Sequence, residues 1–364
     1  MSVNQLRYGL VGCGMMGQEH IKNIHLQKDC VVHSIFEPDA DMRDTARELA
    51  PNATFKESLK DLVEDEALDC LVIVSPNYLH IPQLKEITSL RTIPILCEKP
   101  LSTDVADEAF INELHTSYAA PIWVAMEYRY MPPLTAFLNR CDEVTGGVRM
   151  LTIREHRFPF LEKVNDWNRF NQYSGGTLVE KCCHFFDLMR LVLKDEPRHV
   201  MASGSQMVNH LNEVYDGQTS DIWDAAYALF DFNKGAKAML ELSMFAEGSK
   251  FQEHISAVGP KGKIECFIPG PTRFWPEHMG KQPEPVLVVS PRDPIGEIET
   301  PVPVDETILA AGDHHGSTFY QHEGFRRVLL GEQEPDVTLM DGWKAVKMGM
   351  AAQQSSLTTS VQSL

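Results

Sequence analysis

At 364 residues the chain is long for one hydrophobic core, and its length predicts two domains. With 43% hydrophobic and 23% charged residues it has the composition of a folded globular protein, which excludes disordered and fibrous classes. A formal net charge of −18 argues against nucleic acid or an anionic membrane surface as partner, since both call for a basic face.

The opening Met-Ser-Val-Asn-Gln-Leu-Arg leads directly into a strand-like run, with no charged-then-apolar leader. No apolar stretch approaches the roughly 18–20 residues that span a bilayer. A soluble, cytoplasmic protein is expected. Residues 1–125 then alternate apolar strands with amphipathic helices. Strands are predicted over 6–11, 30–36, 69–74, 94–97 and 122–126, and helices near 14–28, 39–50, 58–64, 80–90 and 104–118. Strands apolar throughout and alternating with helices imply an α/β fold whose doubly wound parallel sheet is covered on both faces.

Beyond about residue 145 the pattern changes. A strand over 147–158 is followed by a polar loop to Gly176, then a helix over 177–193. Strands follow over 199–208, 222–232, 236–245, 252–258 and 263–268, which reads as a mostly antiparallel sheet. Residues 269–303 hold nine of the 22 prolines, as suits a surface excursion with short edge strands. Helices near 317–330 and 339–356 close the chain. The eight cysteines lie mostly in apolar runs without C-x-x-C spacing, so buried thiols are expected and no metal site is. Even Cys182-Cys183 beside His184 cannot readily converge on one ion, because helix neighbours point about 100° apart.

The first strand runs into Gly12-Cys13-Gly14-Met15-Met16-Gly17, which opens a helix. The first glycine permits the turn, the second lets backbone approach a pyrophosphate, and the third lets helix and strand pack closely. Glu37, twenty positions past Gly17 at the end of the second strand, is placed to accept from the adenosine ribose hydroxyls and to repel a 2′-phosphate. No Arg or Lys occupies 38–40, so NAD is expected rather than NADP. A plain cap for the helix at Asp39 is the other reading of Glu37. Val74-Ser75-Pro76-Asn77-Tyr78-Leu79-His80 ends a further strand, where ligands sit in doubly wound sheets. Ser75, Pro76 and Asn77 are candidate cofactor contacts there; His80 reads as a contact or as a helix-start residue.

Cys97-Glu98-Lys99-Pro100 ends the next strand. The proline stiffens the backbone so that Lys99 points into the crevice, where its ammonium can bond a reacting oxygen and, with Glu98, face the cofactor. A salt-bridged surface lysine is the alternative. On the helix after Gly175-Gly176, Glu180, His184 and Asp187 stand at i, i+4 and i+7, one stripe. An imidazole with a carboxylate one turn away is a plausible general base; a satisfied core histidine is the bland alternative, and Asp187 reads equally as structural.

Together these motifs resemble the glucose–fructose oxidoreductase / inositol dehydrogenase (Gfo/Idh/MocA) family, over essentially the whole chain. The resemblance implies a Rossmann domain (1–125) and a substrate-binding and oligomerisation α/β domain (126–364) with an open-faced sheet that serves dimer or tetramer contacts. It implies a Lys99-Pro100 bond that is often cis, Lys99 and His184 as the catalytic pair with Glu180 beside them, and sugar or cyclitol substrates. Thr177 stands where the family usually has a third glycine, and Glu180 where it has aspartate. Glu127-Tyr128-Arg129-Tyr130 resembles a family Asn-x-Arg segment with Glu127 at its head, which makes Tyr128 and Arg129 candidate substrate contacts. In the polar loop, Trp167 is implied at the cofactor and Asn168 at the substrate. His314-His315 could meet substrate, a neighbouring subunit or nothing, with a helix-capping loop favoured. The expected activity is an NAD-dependent dehydrogenase acting on a secondary hydroxyl. The alternatives are a glycosidase or lyase that retains NAD and oxidises transiently, and a non-catalytic sugar- or nucleotide-sensing regulator.

Overall fold

The computed structural model describes residues 5–364; residues 1–4, the head of the segment read for a leader, lie outside it. The first lobe runs β1 (Leu6–Val11), α1 (Met15–Leu26), β2 (Cys30–Phe36), α2 (Ala40–Leu49), β3 (Thr54–Phe55), α3 (Leu59–Val63) and β4 (Cys70–Ile73). It continues through α4 (His80–Leu90), β5 (Ile95–Cys97), α5 (Glu108–Ser117) and β6 (Ile122–Val124). The six strands form one parallel sheet in the order β3-β2-β1-β4-β5-β6. Strand order reverses between β1 and β4, so the carboxyl ends of these strands open the crevice where such sheets take ligands. Residues 70–73 are buried throughout, as a strand covered on both faces requires. Two-residue β3, an edge strand, is too short to leave a period in the sequence.

The second lobe starts with α6 (Pro132–Thr145), for which the sequence reading had no element. Pro132-Pro133 looks like a breaker, yet proline fits a first helical turn, and Gly146 in the left-handed region ends the helix. Then come β7 (Met150–His156), α7 (Asn171–Ser174), α8 (Thr177–Glu180), α9 (Cys183–Leu193) and β8 (Pro197–Ser205). A small ribbon of β9 (Val214–Tyr215) and β10 (Gln218–Thr219) precedes β11 (Ala225–Phe232), β12 (Lys237–Ser243), β13 (Glu253–Val258) and β14 (Gly262–Ile268). The proline-rich stretch holds the expected short strands, β15 (Val286–Pro291) and β16 (Ile298–Pro301). The chain closes with α10 (Glu306–Ala310), α11 (Ser317–Leu329), α12 (Leu339–Thr358) and β17 (Gln362–Ser363).

Nine strands form a sheet in the order β16-β15-β14-β13-β7-β12-β11-β8-β17, antiparallel except for the β7–β12 pair. Side chains alternate across it: Leu151, Ile153, Ala228, Phe230, Leu240 and Ile255 turn inward under α6, α9 and α12. The opposite face carries Met150, Met201, Tyr227, Leu229 and Val258, all exposed. Helices α11 and α12 return to the first lobe. The former packs on α1 and the latter on α5 and β6, where a Cβ on Gly342 would come within 2.7 Å of Val124. Buried Trp343 donates from Nε1 to Glu108 at 3.2 Å, and Lys347 adds a 2.9 Å bond to the same oxygen. Among the described residues no helix is long and apolar enough to cross a membrane.

Candidate active site

The loop from β1 to α1 has the shape a dinucleotide requires. Gly12 has φ +97°, and a Cβ there would meet the Ser75 nitrogen and the Val74 oxygen at 2.9 Å. A Cβ on Gly17 would stand 2.8 Å from the Gly12 oxygen, whereas Gly14 has nothing within 4 Å of its Cβ position. Two glycines are therefore forced by packing, and the third leaves open backbone at the helix N-terminus where a pyrophosphate binds. Glu37 closes this cradle: its carboxylate accepts from the Cys13 N–H at 2.5 Å and from the Asp39 N–H at 2.9 Å. The helix cap proper is Asp39, which accepts from Met42. These residues fit NAD.

Lys99, at the end of β5, donates from Nζ to the Glu180 backbone carbonyl at 3.0 Å, and its bond to Pro100 is cis. Buried Glu98 does not face a ligand. Its Oε1 lies 3.0 Å from His20 Nε2, and its Oε2 accepts from the Lys99 N–H at 3.1 Å. Burial opposes the Glu98 charge, but the His20 bond and the His20 and Lys99 charges pull the carboxyl below its ordinary value. His20 Nδ1 in turn stands 2.7 Å from His322 Nε2 on α11.

The helix expected over 177–193 is two helices, with α8 ending at Glu180 and α9 starting at Cys183. Glu180 and His184 nevertheless line one cavity together with Lys99, Met15, Met16 and Tyr128. His184 Nδ1 and Glu180 Oε2 are both buried without a hydrogen-bond partner, so these atoms do not make the expected carboxylate–imidazole bond. What orients the ring is Tyr128, which lies flat against it. Burial, followed by the charges of Lys99, Lys181 and His314, pushes the imidazole well below its ordinary pKa, leaving it neutral. Burial also raises the Glu180 carboxyl, against Lys99 and Lys163.

Behind this pair Lys181 is buried, its Nζ 2.5 Å from the Tyr128 hydroxyl and 2.9 Å from Glu155. Glu155 faces Glu253 across the β7–β13 ladder, and burial with that neighbour pushes Glu253 up to about 7. At the opposite side of the cavity His314 Nδ1 lies 3.4 Å from Glu19 and 3.3 Å from Glu127. Burial works against a charge on His314, but Glu127 and Glu19 outweigh it and hold the imidazole up to about 9. Glu19 is buried too, yet His314 draws it down to about 2. The three ligand atoms lie within 4.8 Å of one another, close enough to share a cation, a charge that protonated His314 itself supplies.

Three expected contacts, Arg129, Asn168 and His80, are taken up within the protein. Arg129, expected at the substrate, holds both Asp187 oxygens at 2.5 Å and donates to the Asp336 carbonyl at 2.9 Å, so its guanidinium is committed to the fold. Asn168, also expected at the substrate, is fully buried and holds the Leu161 carbonyl at 2.9 Å. His80 is a bridge instead of a cofactor contact, with ring nitrogens 2.8 Å from the Pro100 oxygen and 2.9 Å from the Ser75 oxygen. Asn77 donates to the Ser174 carbonyl, Ser75 to Gln83, and Trp167 stands edge-on to Tyr78. Pro76, half-buried, leads into the short 3₁₀ turn at Asn77–Leu79. His314 lines the cavity, which a simple capping loop does not require.

The sequence reading missed Glu19, Arg157, Lys163, Lys181 and Glu253, all of which line the cavity. The one available signal was Glu253, and Glu155 opposite it, at inward positions of otherwise apolar strands.

Residues 6–125 match the model of the oxidoreductase family's NAD-binding Rossmann fold, and residues 142–362 match that of the same family's C-terminal alpha/beta domain. A myo-inositol 2-dehydrogenase of Thermotoga maritima is 26% identical over 71% of this chain and 74% of its own length. The rhizopine catabolism protein MocA of Rhizobium meliloti is 24% identical over 75% and 80%. A levoglucosan dehydrogenase solved with NADH and levoglucosan has the same fold, with a TM-score of 0.81 at 17% identity, over 98% of this chain and 99% of that one.

Proposed function

Given that the chain belongs to the Gfo/Idh/MocA oxidoreductase family, which binds NAD, we propose that it is a dehydrogenase acting on a secondary hydroxyl of a sugar, anhydrosugar or cyclitol. The observation that carries the reading is a buried, neutral His184 whose Nδ1 has no partner, in one cavity with Lys99 and the nucleotide loop. A neutral imidazole can accept the hydroxyl proton of the substrate. Lys99 Nζ donates to the same oxygen and stabilises its developing negative charge. Glu180, its carboxyl raised and its Oε2 unbonded, positions a neighbouring hydroxyl. Bound NAD supplies the hydride acceptor. Inositol and levoglucosan dehydrogenases among the relatives and structural neighbours support the substrate class.

The same reading divides the chain into a cofactor domain, 1–125, and a substrate domain, 126–364. It takes the enzyme to be a cytoplasmic homodimer or homotetramer joined through the exposed face of the nine-stranded sheet. The test is a panel of sugars, anhydrosugars, cyclitols and uronates with NAD, followed at the NADH absorbance. Net NADH accumulation with at least one compound is expected. Turnover of a glycoside without net NADH would replace the reading with NAD-retaining bond cleavage, and binding without any turnover would replace it with a sensor.

A further inference from the structure

The cavity carries more positive charge on one side than its own acids balance. Arg157 and Lys163, on the segment that follows β7, line it together with Lys99, Glu180 and His184. Arg157 reaches Glu155 only at 3.8 Å, and Lys181 already occupies that carboxylate at 2.9 Å. The Arg157 Nε is buried with no hydrogen-bond partner. Among the described residues Lys163 forms no ion pair; burial pulls its ammonium below the ordinary value, against the nearby Glu180, which Lys99 also faces, and an approaching anion would restore its charge. The other charges of the cavity carry no positive surplus. Arg273 pairs with Asp313 at 2.6 Å, and Glu19 and Glu127 flank His314. Glu253, raised to about 7, carries only part of a charge.

A cation taken from water without a counter-charge is costly, and an anion delivered by a ligand removes that cost. We propose that the substrate is an anionic sugar or cyclitol: besides the hydroxyl that is oxidised at Lys99 and His184, it bears a carboxylate or phosphate held by Arg157 and Lys163. The planar guanidinium suits two oxygens of one such group, and the flexible ammonium supplies a second charge to it. The inference deepens the dehydrogenase reading and rests on it. Arg157 and Lys163 are specificity-determining residues on this account, and neither touches the reacting atoms.

The test compares matched compounds with saturating NAD: glucose, glucuronate and glucose 6-phosphate, and the galactose series likewise. One anionic member of a series is expected to exceed its neutral parent in kcat/KM by about ten-fold or more, a discrimination typical of a site with buried polar groups built for one partner. Whether the uronate or the phosphate wins identifies the group. Arg157→Gln and Lys163→Met are each expected to bring that ratio down about ten-fold. Lys163 is half-buried on a loop, so its variant keeps the test open should Arg157→Gln fold poorly. Neutral parents turned over as well as the anions would overturn the inference. So would variants that weaken NADH binding in a fluorescence titration and leave the ratio unchanged, since the cations would then serve the cofactor. If no compound turns over, the dehydrogenase reading fails by itself. The anion is then judged by thermal shift of the NADH-loaded protein: protection by uronates or sugar phosphates beyond their neutral parents supports it, and equal shifts overturn it.

Discussion

The imidazole of His184 lies parallel to the phenol ring of Tyr128, with centroids 4.1 Å apart and planes within 9°. Stacking fixes the ring without using either of its nitrogens, and Lys181 anchors the phenol from behind. His184→Asn is therefore expected to lower the melting temperature modestly through the lost stacking, to leave NADH affinity nearly unchanged, and to cut turnover by about 10²–10⁴, far beyond any loss of folded protein. The base must be unprotonated, so oxidation is lost as pH falls through the pKa of His184. Because that pKa is depressed, kcat/KM for wild type should stay level down through pH 6.5 and decline only in more acid solution. A His184-dependent rise between pH 6.5 and 8 would contradict the buried, neutral base.

Lys99 offers its ammonium to the oxygen that gains charge. Lys99→Ala should lower turnover by about 10²–10³, the loss expected for one transition-state donor, and keep NADH binding within a few-fold. Steady-state rates with a fluorescence titration read both. A folded variant with near-normal turnover would leave Lys99 a structural tie to the Glu180 carbonyl and take it out of the chemistry.

Glu37 serves the loop as well as the cofactor. Glu37→Ser with Pro38→Arg should move preference toward NADP, by removing repulsion and adding a phosphate partner. It should also lower the melting temperature, because the Cys13 and Asp39 N–H groups lose their shared acceptor, at roughly 1 kcal/mol per bond. Wild-type enzyme that reduces NADP as readily as NAD would sink the argument.

Arg129 and Asp187 form a buried two-point ion pair, with side chains 11% and 1% exposed. Removing one partner of such a pair costs about 3–5 kcal/mol. Arg129→Ala should shift denaturant unfolding by that order and leave the Michaelis constant of the folded fraction alone. A raised Michaelis constant at unchanged stability would return Arg129 to the substrate.

His314 predicts a pH dependence of stability. Its folded pKa of about 9 lies above the value of a free imidazole, so its contribution is complete below about pH 6.5 and is lost as pH rises through about 9. The carboxyl of Glu19, held at about 2, contributes in the opposite sense: that part is present above about pH 4.5 and fades as pH falls toward 2. Melting temperature should therefore decline between pH 6.5 and 9, and His314→Gln should flatten that decline. An identical alkaline slope in the variant would remove His314 from the account.

The nucleotide-binding half was legible because its elements are local. Strands apolar on both faces, the spaced glycines and Glu37 lie within a few turns of one another, and β1 and β2 have the predicted bounds. The parallel sheet, the mostly antiparallel one, the short strands of the proline-rich stretch and the meeting of Lys99 with Glu180 and His184 were also legible, the last through family resemblance. The surroundings of that trio were not. His314 meets Glu19 from nearly three hundred residues away, and Lys181 meets Tyr128 and Glu155 from three separate elements. No sequence period encodes such pairings. Arg129 misled for the same reason, since only the tertiary structure reveals that Asp187 claims it. The break after Glu180 was hidden because the pattern over 177–193 stays apolar on both sides of it.

Helix α12 has a consequence for how the molecule is made. Trp343 and Gly342 complete the packing around α5 and β6, which belong to the first lobe but are synthesised long before them. On the ribosome the nucleotide-binding sheet therefore emerges with its sixth strand incompletely covered and waits for α12. Apolar surface at Val124 is open to chaperones during that interval, and the cofactor half cannot be excised at residue 125 without leaving the same surface bare.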